Sequence, residues 1–130
     1  LRQKCAEIME AQGYEEPTGQ AKITPAYNLP CDYVLHTVGP IVQGRLTQEH
    51  EKLLSSCYSS CLKLADKNSV ESIAFCCIST GVFHFPNERA GEIAVETVTE
   101  WMSAHPGMMK RVIFNVFKDE DRWIYEELLG

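Results

Sequence analysis

The chain contains 130 residues, of which 45% are hydrophobic, and it carries a formal net charge of −6. This is the length of one domain, and the apolar content suffices for a hydrophobic core. The acidic balance argues against general binding to nucleic acids or membrane surfaces, and no apolar run approaches the roughly 20 residues of a membrane span.

The first predicted elements are a helix and an extended region. Apolar residues at helical spacing precede Gly13, and this helix has no visible N-cap, so we expect its start to lie upstream. The stretches 19–24 and 26–29 have the pattern of extended segments. Tyr33–Val38 then predicts a strand that ends at a Gly-Pro pair. His36 lies in this strand, and we interpret it as a hydrogen-bonded core residue rather than a catalytic group.

The next element is a helix for which Thr47 is the predicted N-cap. Its apolar stripe comprises Leu54, Cys57, Tyr58, Cys61, Leu62 and Ala65. Cys57 and Cys61 could both reach one metal ion, but no histidine on the same face completes a tetrahedral set, so we interpret them as core packing. We expect all six cysteines to be reduced and metal-free, which is typical of a cytoplasmic protein.

The stretch from Ser72 to Pro86 contains the best candidate for a functional loop. Ile73–Ile78 predicts a strand buried on both faces, as in a parallel sheet. Small residues follow at Ser79, Thr80 and Gly81, between the carboxyl end of this strand and the next helix. Ligands bind at such places in α/β sheets, and consecutive backbone N–H groups suit a phosphate. An ordinary strand-to-helix turn without a ligand fits this spacing equally well.

The C-terminal part predicts a helix, a strand and a last helix. Asn87 is the predicted N-cap of a helix that runs to about Ala104. Arg111–Phe117 predicts a mostly buried strand. Asp119 can cap the last helix, in which Trp123, Ile124 and Leu128 would face inward. Strands that alternate with helices in this way indicate a single α/β layered domain over residues 1–130.

Three segments resemble, in this order and spacing, the macrodomain family of ADP-ribose-binding modules. They are Gly19–Thr24, Tyr33–Pro40, and Ile78–Phe83 followed by Phe85 and Pro86. The resemblance implies a three-layer α/β/α fold with a mixed central sheet. The run from Ala21 to Pro40, the Cys76-Cys77 pair and His84 are similar to the zinc-containing microbial branch, whose members are protein-ADP-ribosyl hydrolases.

The resemblance also implies site residues. The family's second diphosphate-binding loop holds the phosphates and the distal ribose through its backbone amides. The residues that match this loop are Ser79, Thr80, Gly81, Val82 and Phe83. Phe83 resembles the aromatic residue that walls the ribose. Phe117, with Asn115 nearby, matches a position that often borders the adenine. Core packing is the alternative for both phenylalanines, and for Phe117 it is an equally good interpretation.

Two family features have no counterpart in this sequence: an Asn-rich and Gly-rich first loop, and a Cys/His cluster that holds zinc. Both would lie before Leu1, so we assign no metal ligand and no catalytic residue here and expect zinc to be bound upstream. The resemblance thus describes the C-terminal portion of a macrodomain that lacks its N-terminal strands. We expect a gap between the strands at 33–38 and 72–78, filled by an upstream segment or a partner, and a chain that alone is unstable and inactive.

Two functional classes follow from the resemblance. The first is an enzyme that binds ADP-ribose on a mono-ADP-ribosylated protein and hydrolyses the linkage with zinc supplied upstream. The second is a module that reads ADP-ribose without chemistry. A Cys/His cluster in the first loop would favour the enzyme. Single-stranded RNA binding is disfavoured by the acidic charge, and we expect neither nucleic acids nor membranes as partners.

Overall fold

The computed structural model describes residues 18–25, 31–80, 83–107, 109–116 and 118–130. The helix predicted before Gly13 and the extended stretch at 26–29 lie outside these residues. Seven elements follow in chain order: β1 (Ala21–Pro25), β2 (Tyr33–Thr37), α1 (Gln48–Lys67), β3 (Ser72–Phe75), α2 (Asn87–Ala104), β4 (Arg111–Phe114) and α3 (Asp119–Leu129). The alternation of helices and strands confirms the predicted α/β class.

The four strands form two pairs. β1 and β2 are antiparallel, with Ile23 opposite Leu35. β3 and β4 are parallel, with Ala74 opposite Ile113, and α2 makes the crossover between them. Both kinds of pairing expected for a mixed sheet are therefore present, but in the described residues they form two separate two-stranded sheets.

A cleft of about 1390 Å³ separates the two sheets, with β2 on one side and β3 on the other. As expected, β2 and β3 do not pair with each other in the described part of the chain. The prediction that the third strand is buried on both faces and continues to Ile78 is wrong. The strand ends at Phe75, and both Ala74 and Cys76 are exposed, because they line the cleft.

α1 begins and packs as its sequence predicts. The Thr47 hydroxyl accepts a hydrogen bond from the His50 backbone N–H at 3.3 Å, and the His50 ring accepts one from the Thr47 N–H at 3.1 Å. This reciprocal arrangement satisfies backbone donors that the first turn would leave unpaired. The buried residues are those of the predicted stripe, from Leu54 to Ala65. α1 therefore supplies much of the core.

α1 also carries the polar contacts that hold α2 beside it. The Arg89 guanidinium donates to both carboxylate oxygens of Glu51, at 3.2 and 2.9 Å, and to Glu92 at 2.9 Å. The Ser55 and Thr97 hydroxyls are 2.9 Å apart. Because two parallel hydrogen bonds between guanidinium and carboxylate fix both position and angle, these contacts set the crossing of the two helices.

Two predicted helix caps are wrong. Asn87 is the first residue of α2, after Pro86, and Asp119 is the first residue of α3, after Lys118; neither preceding residue makes a side-chain cap. Proline has no backbone N–H to satisfy and its φ suits a helix start, which explains the earlier boundary of α2.

The inward face of α3 also differs from the prediction. Trp123 is 68% exposed and Leu128 is 38% exposed, whereas Asp121 and Tyr125 are buried. Ile124 is half-buried and lies, with Leu128, against α2 at Gly91, so the inward direction predicted for Ile124 is confirmed. The Tyr125 ring stacks on Phe114 of β4, with centroids 5.1 Å apart.

None of the helices in the described residues combines the length and the apolar character that a membrane span requires.

The five described cysteines are free thiols, and Cys5 lies outside the described residues. Cys57 and Cys61 are buried on α1, as predicted, whereas Cys31 and Cys76 are exposed. Burial raises the pKa of Cys61 to about 12. A thiol with such a pKa is ionised only to about 0.01% at pH 8, and the thiolate is the reactive form.

Brief alkylation of the native protein with iodoacetamide at pH 8 is therefore expected to modify Cys31 and Cys76 and to spare Cys57 and Cys61. Mass spectrometry of peptides from timed samples measures this order, and the same reaction in denaturant is the control in which all thiols react. Modification of Cys61 as fast as Cys31 in the native protein would contradict the core position of α1.

Candidate functional site

The candidate site lies where the carboxyl ends of β2, β3 and β4 meet. The segment that follows β2 contacts the loop between β3 and α2: the Val42 backbone N–H donates to the Phe83 carbonyl at 2.8 Å. Within that loop, the Phe85 N–H donates to the Ser79 carbonyl at 3.0 Å. The loop is therefore closed on itself and tied to its neighbour.

The backbone of this loop is unusual at two positions. Ser79 has a φ of 67° and His84 a φ of 61°. Residues other than glycine rarely adopt this left-handed conformation, and when they do it is commonly at ligand sites and switch regions. Ser79 is also buried, and its hydroxyl has no hydrogen-bond partner among the described residues. Two features that cost free energy thus coincide at the residue where the predicted ligand loop begins.

The described members of the predicted diphosphate loop stay together. Ser79, Thr80 and Phe83 all line the wall of the cleft. The Thr80 hydroxyl donates to the Cys77 carbonyl at 3.1 Å, which fixes the start of the loop on the end of β3. Phe83 is half-buried, so one part of its ring is open to a ligand. Gly81 and Val82 lie outside the described residues.

A second, smaller cavity of about 260 Å³ adjoins the loop. Thr80 lines both cavities, so the two are neighbours. The other lining residues are Cys76, Cys77, Asn87, Asn115, Lys118 and Asp121. Asn115 thus lies beside the predicted loop, and its backbone N–H donates to the Phe75 carbonyl at 2.7 Å. Phe117 lies outside the described residues.

Sequence reasoning missed a buried polar pair in this small cavity. The Asn87 side-chain amide donates to an Asp121 carboxylate oxygen at 2.6 Å, and Asp121 is only 6% exposed. The pair joins the first turn of α2 to the first turn of α3. A signal was present, because Asp121 stands four residues before the buried Tyr125 and so shares its face of the helix.

Asn87→Ala is expected to lower the free energy of unfolding by about 1–3 kcal/mol, because it leaves the buried Asp121 carboxylate without its hydrogen-bond donor. Asp121→Asn is the comparison, since an asparagine there can still accept from Asn87 and should lose less. Urea unfolding curves measure both variants. Equal losses in the two would show that the hydrogen bond is not the important contact.

Burial shifts the pKa of three titratable groups near the site. Burial raises the pKa of Cys77 to about 11, with a further contribution from the Asp121 charge. Burial likewise raises the pKa of Tyr125 above its ordinary value. In β2, burial lowers the pKa of His36, and its Nε2 atom lies 2.9 Å from the Thr24 hydroxyl. The predicted hydrogen bond of His36 is confirmed, whereas its predicted core position is wrong, because His36 is half-buried and lines the cleft.

These residues offer hydrogen-bond donors and one cation. The loop offers backbone N–H groups and hydroxyls, Lys118 supplies a cation at the rim of the small cavity, and Asn87 and Asn115 supply amides. Such donors suit phosphate oxygens and the polar edges of a nucleotide. In the part of the chain that the structure describes, no group of three or more His, Cys, Asp or Glu side chains is placed to hold a metal ion.

Comparison with known proteins gives consistent matches. The sequence profile of the Macro domain family matches residues 1–94. The chain is 59% identical over 130 residues to a protein-ADP-ribose hydrolase of Treponema medium, and it spans about half (49%) of that relative's length. A macrodomain of Oceanobacillus iheyensis with ADP superposes with a TM-score of 0.90 at 35% identity, covering 98% of this chain and 66% of the other.

A second solved structure extends the match to another organism. The Trypanosoma brucei macrodomain in complex with ADP-ribose has a TM-score of 0.83 and 36% identity, over 96% of this chain and 52% of the other.

Proposed function

Because the chain belongs to the macrodomain family, we propose that it binds ADP-ribose through the loop from Ser79 to Phe83. The observation that carries this proposal is the loop itself: it is strained at Ser79, closed by its own hydrogen bond and open to the cleft. In the proposed complex, the backbone amides of residues 79–83 hold the diphosphate and the Phe83 ring walls the ribose. The related macrodomains solved with ADP and with ADP-ribose support this assignment.

The adenine is proposed to lie toward the small cavity, beside Asn115 and Phe117. The polar side chains of that cavity, Asn87 and Lys118 among them, support a ligand that presents both donors and acceptors. Two or three hydrogen bonds to the charged diphosphate, each worth about 1.5–3 kcal/mol, are enough for affinity in the micromolar range.

The proposed reaction of the whole protein is hydrolytic removal of ADP-ribose from a mono-ADP-ribosylated protein in the cytoplasm. The name of the Treponema medium relative supports it. Zinc is expected from the microbial branch, but the described residues do not fit a zinc site, because they offer no cluster of ligands. We therefore assign zinc to none of the described residues, expect it to be bound upstream as the resemblance implies, and assign no catalytic step to it. The second candidate, a module that reads ADP-ribose without chemistry, uses the same loop.

Calorimetric titration of the full-length protein with ADP-ribose, together with release of ADP-ribose from a modified protein, separates these possibilities. Binding together with release of ADP-ribose is expected for the enzyme. Binding without release would favour the reading module, and absence of binding would overturn the proposal. A phosphate-free ribose, which lacks the diphosphate, is the control that should not bind.

We also propose that a further strand, supplied by an upstream segment or by a partner, fills the cleft between β2 and β3. The facing edges of these strands would otherwise leave backbone N–H and C=O groups without partners, at a cost of about 1–3 kcal/mol for each buried group. Hydrogen exchange tests this: the amides of β2 and β3 should exchange much faster in residues 1–130 alone than in the full-length protein. Equal protection in both would contradict it.

A further inference from the structure

Gly39 lies where the segment after β2 passes the candidate loop, and it is buried. A Cβ atom added at this position would overlap the Ser79 hydroxyl, and it would lie 2.7 Å from Ile78 Cγ2 and 3.2 Å from Ser79 Cβ. The described glycines with positive φ are Gly19, Gly44 and Gly107, so Gly39 is not one of them. Space, rather than backbone conformation, therefore requires glycine at position 39.

The same segment holds the far end of the loop. Three residues after Gly39, the Val42 N–H donates to the Phe83 carbonyl at 2.8 Å. Val42 is buried, with 4% exposure, so this hydrogen bond is shielded from water. The segment 39–42 thus contacts the loop at its beginning, through Gly39 and Ser79, and at its end, through Val42 and Phe83.

The loop between these two contacts has a conformation that needs support. Left-handed φ values such as those of Ser79 and His84 persist only where the surroundings enforce them. The Ser79 hydroxyl gains no hydrogen bond among the described residues that would compensate. The close approach of Gly39 on one side and the Phe85 N–H to Ser79 carbonyl bond on the other are the contacts that can enforce it.

We propose that Gly39 is a positioning residue for the ligand loop: its missing side chain lets segment 39–42 hold Ser79 in the left-handed conformation and so sets the direction of the loop's backbone N–H groups. This inference rests on the proposed binding of ADP-ribose. Gly39 would thus affect ligand binding without having to contact the ligand.

Gly39→Ala in the full-length protein is expected to weaken ADP-ribose binding roughly 10- to 100-fold, the equivalent of one misdirected hydrogen bond to a charged oxygen. Gly44→Ala is the matched control. Gly44 belongs to the same connection, and a Cβ there meets nothing within 4 Å, although its φ of +82° makes a side chain costly. It should therefore lower stability while leaving the affinity at the wild-type value.

Adding Ser79→Gly to Gly39→Ala tests the contact itself. The second substitution removes the overlapping hydroxyl and Cβ, keeps the backbone N–H, and tolerates the left-handed conformation. The double variant should recover part of the lost affinity, limited by the remaining contact with Ile78. Each substitution alone disturbs the loop, so a merely structural role of Gly39 would predict additive losses of affinity rather than this recovery.

The outcomes separate this inference from the proposed function. If the wild-type protein does not bind ADP-ribose, the proposed function is wrong. The contact between Gly39 and Ser79 is then tested separately, by asking whether the effects of Gly39→Ala and Ser79→Gly on the unfolding free energy are non-additive. Equal affinities of Gly39→Ala and Gly44→Ala would overturn the inference. Should Gly39→Ala not fold, hydrogen exchange of the wild type decides: a Val42 amide that exchanges as fast as an exposed loop amide would overturn it.

Discussion

Full-length protein carrying Gly81→Glu is expected to lose at least about 100-fold in ADP-ribose affinity while remaining folded. The position follows Ser79 and Thr80 in the predicted diphosphate loop, where a carboxylate would face the phosphates. Two like charges about 4 Å apart repel by about 4 kcal/mol at an effective dielectric constant of about 20. Each 1.4 kcal/mol is about a tenfold change in affinity, so 100-fold is a conservative expectation.

The control for this variant is Gly107→Glu, which adds the same charge in the turn after α2, where a side chain meets nothing within 4 Å. That turn precedes β4, at the end of the sheet opposite the candidate loop. Calorimetry and a thermal unfolding curve are measured for both variants. Wild-type affinity in a well-folded Gly81→Glu variant would remove the loop from the binding site.

Phe85→Ala is expected to have the largest effect on stability, about 3–5 kcal/mol, because the ring is almost fully buried, with 1% exposure, and its loss leaves a cavity. Domains of this size are commonly stable by only about 5–15 kcal/mol, so this loss removes a large share of the stability. Urea unfolding measures the loss, and a midpoint near that of the wild type would contradict the position of Phe85 in the core.

Phe83→Ala is the natural comparison, two residues earlier in the same loop. Its ring is half-buried and lines the cleft, so truncation removes ligand contact more than core packing. Affinity for ADP-ribose should fall about tenfold, the value of an aromatic contact of roughly 1.4 kcal/mol, while stability changes less than in Phe85→Ala. A larger loss of affinity in Phe85→Ala and a larger loss of stability in Phe83→Ala would contradict the roles assigned to the two rings.

Helical periodicity carried most of what the sequence could predict. The stripe from Leu54 to Ala65 and the span of α2 were predictable because a 3.6-residue repeat over many turns is set by local geometry. The capping residue Thr47 was predictable for the same reason, since its partner His50 is three residues away. The position of the candidate loop followed from the end of the apolar run Ile73–Ile78.

The remaining features depend on partners distant in sequence. Asn87 is a good cap by its own chemistry, but its amide is taken by Asp121, 34 residues later. The need for glycine at position 39 arises from the Ser79 side chain rather than from its own backbone. The sequence predicts that Ala74 and Cys76 are buried. They are exposed because the two sheets are separate. No local pattern encodes these relations.

α1 is the element that both pairs of strands share. Ser56 and Ser60 donate to the Gly19 carbonyl at 2.7 and 2.8 Å, next to β1, and the Tyr58 hydroxyl donates to the Cys76 carbonyl beyond β3. The β1–β2 hairpin joins residues near in sequence, whereas the β3–β4 pair must close a long crossover, which is slower.

The hairpin and the crossover are therefore two cooperative units that meet on one helix. Among the described elements the hairpin packs mainly against α1, so its opening is expected to need less free energy than global unfolding. Such opening would release the segment 39–42 from the ligand loop while β3, α2 and β4 stay paired. Affinity for the ligand and stability of the hairpin would then be linked: bound ligand would stabilise the pairing of β1 with β2.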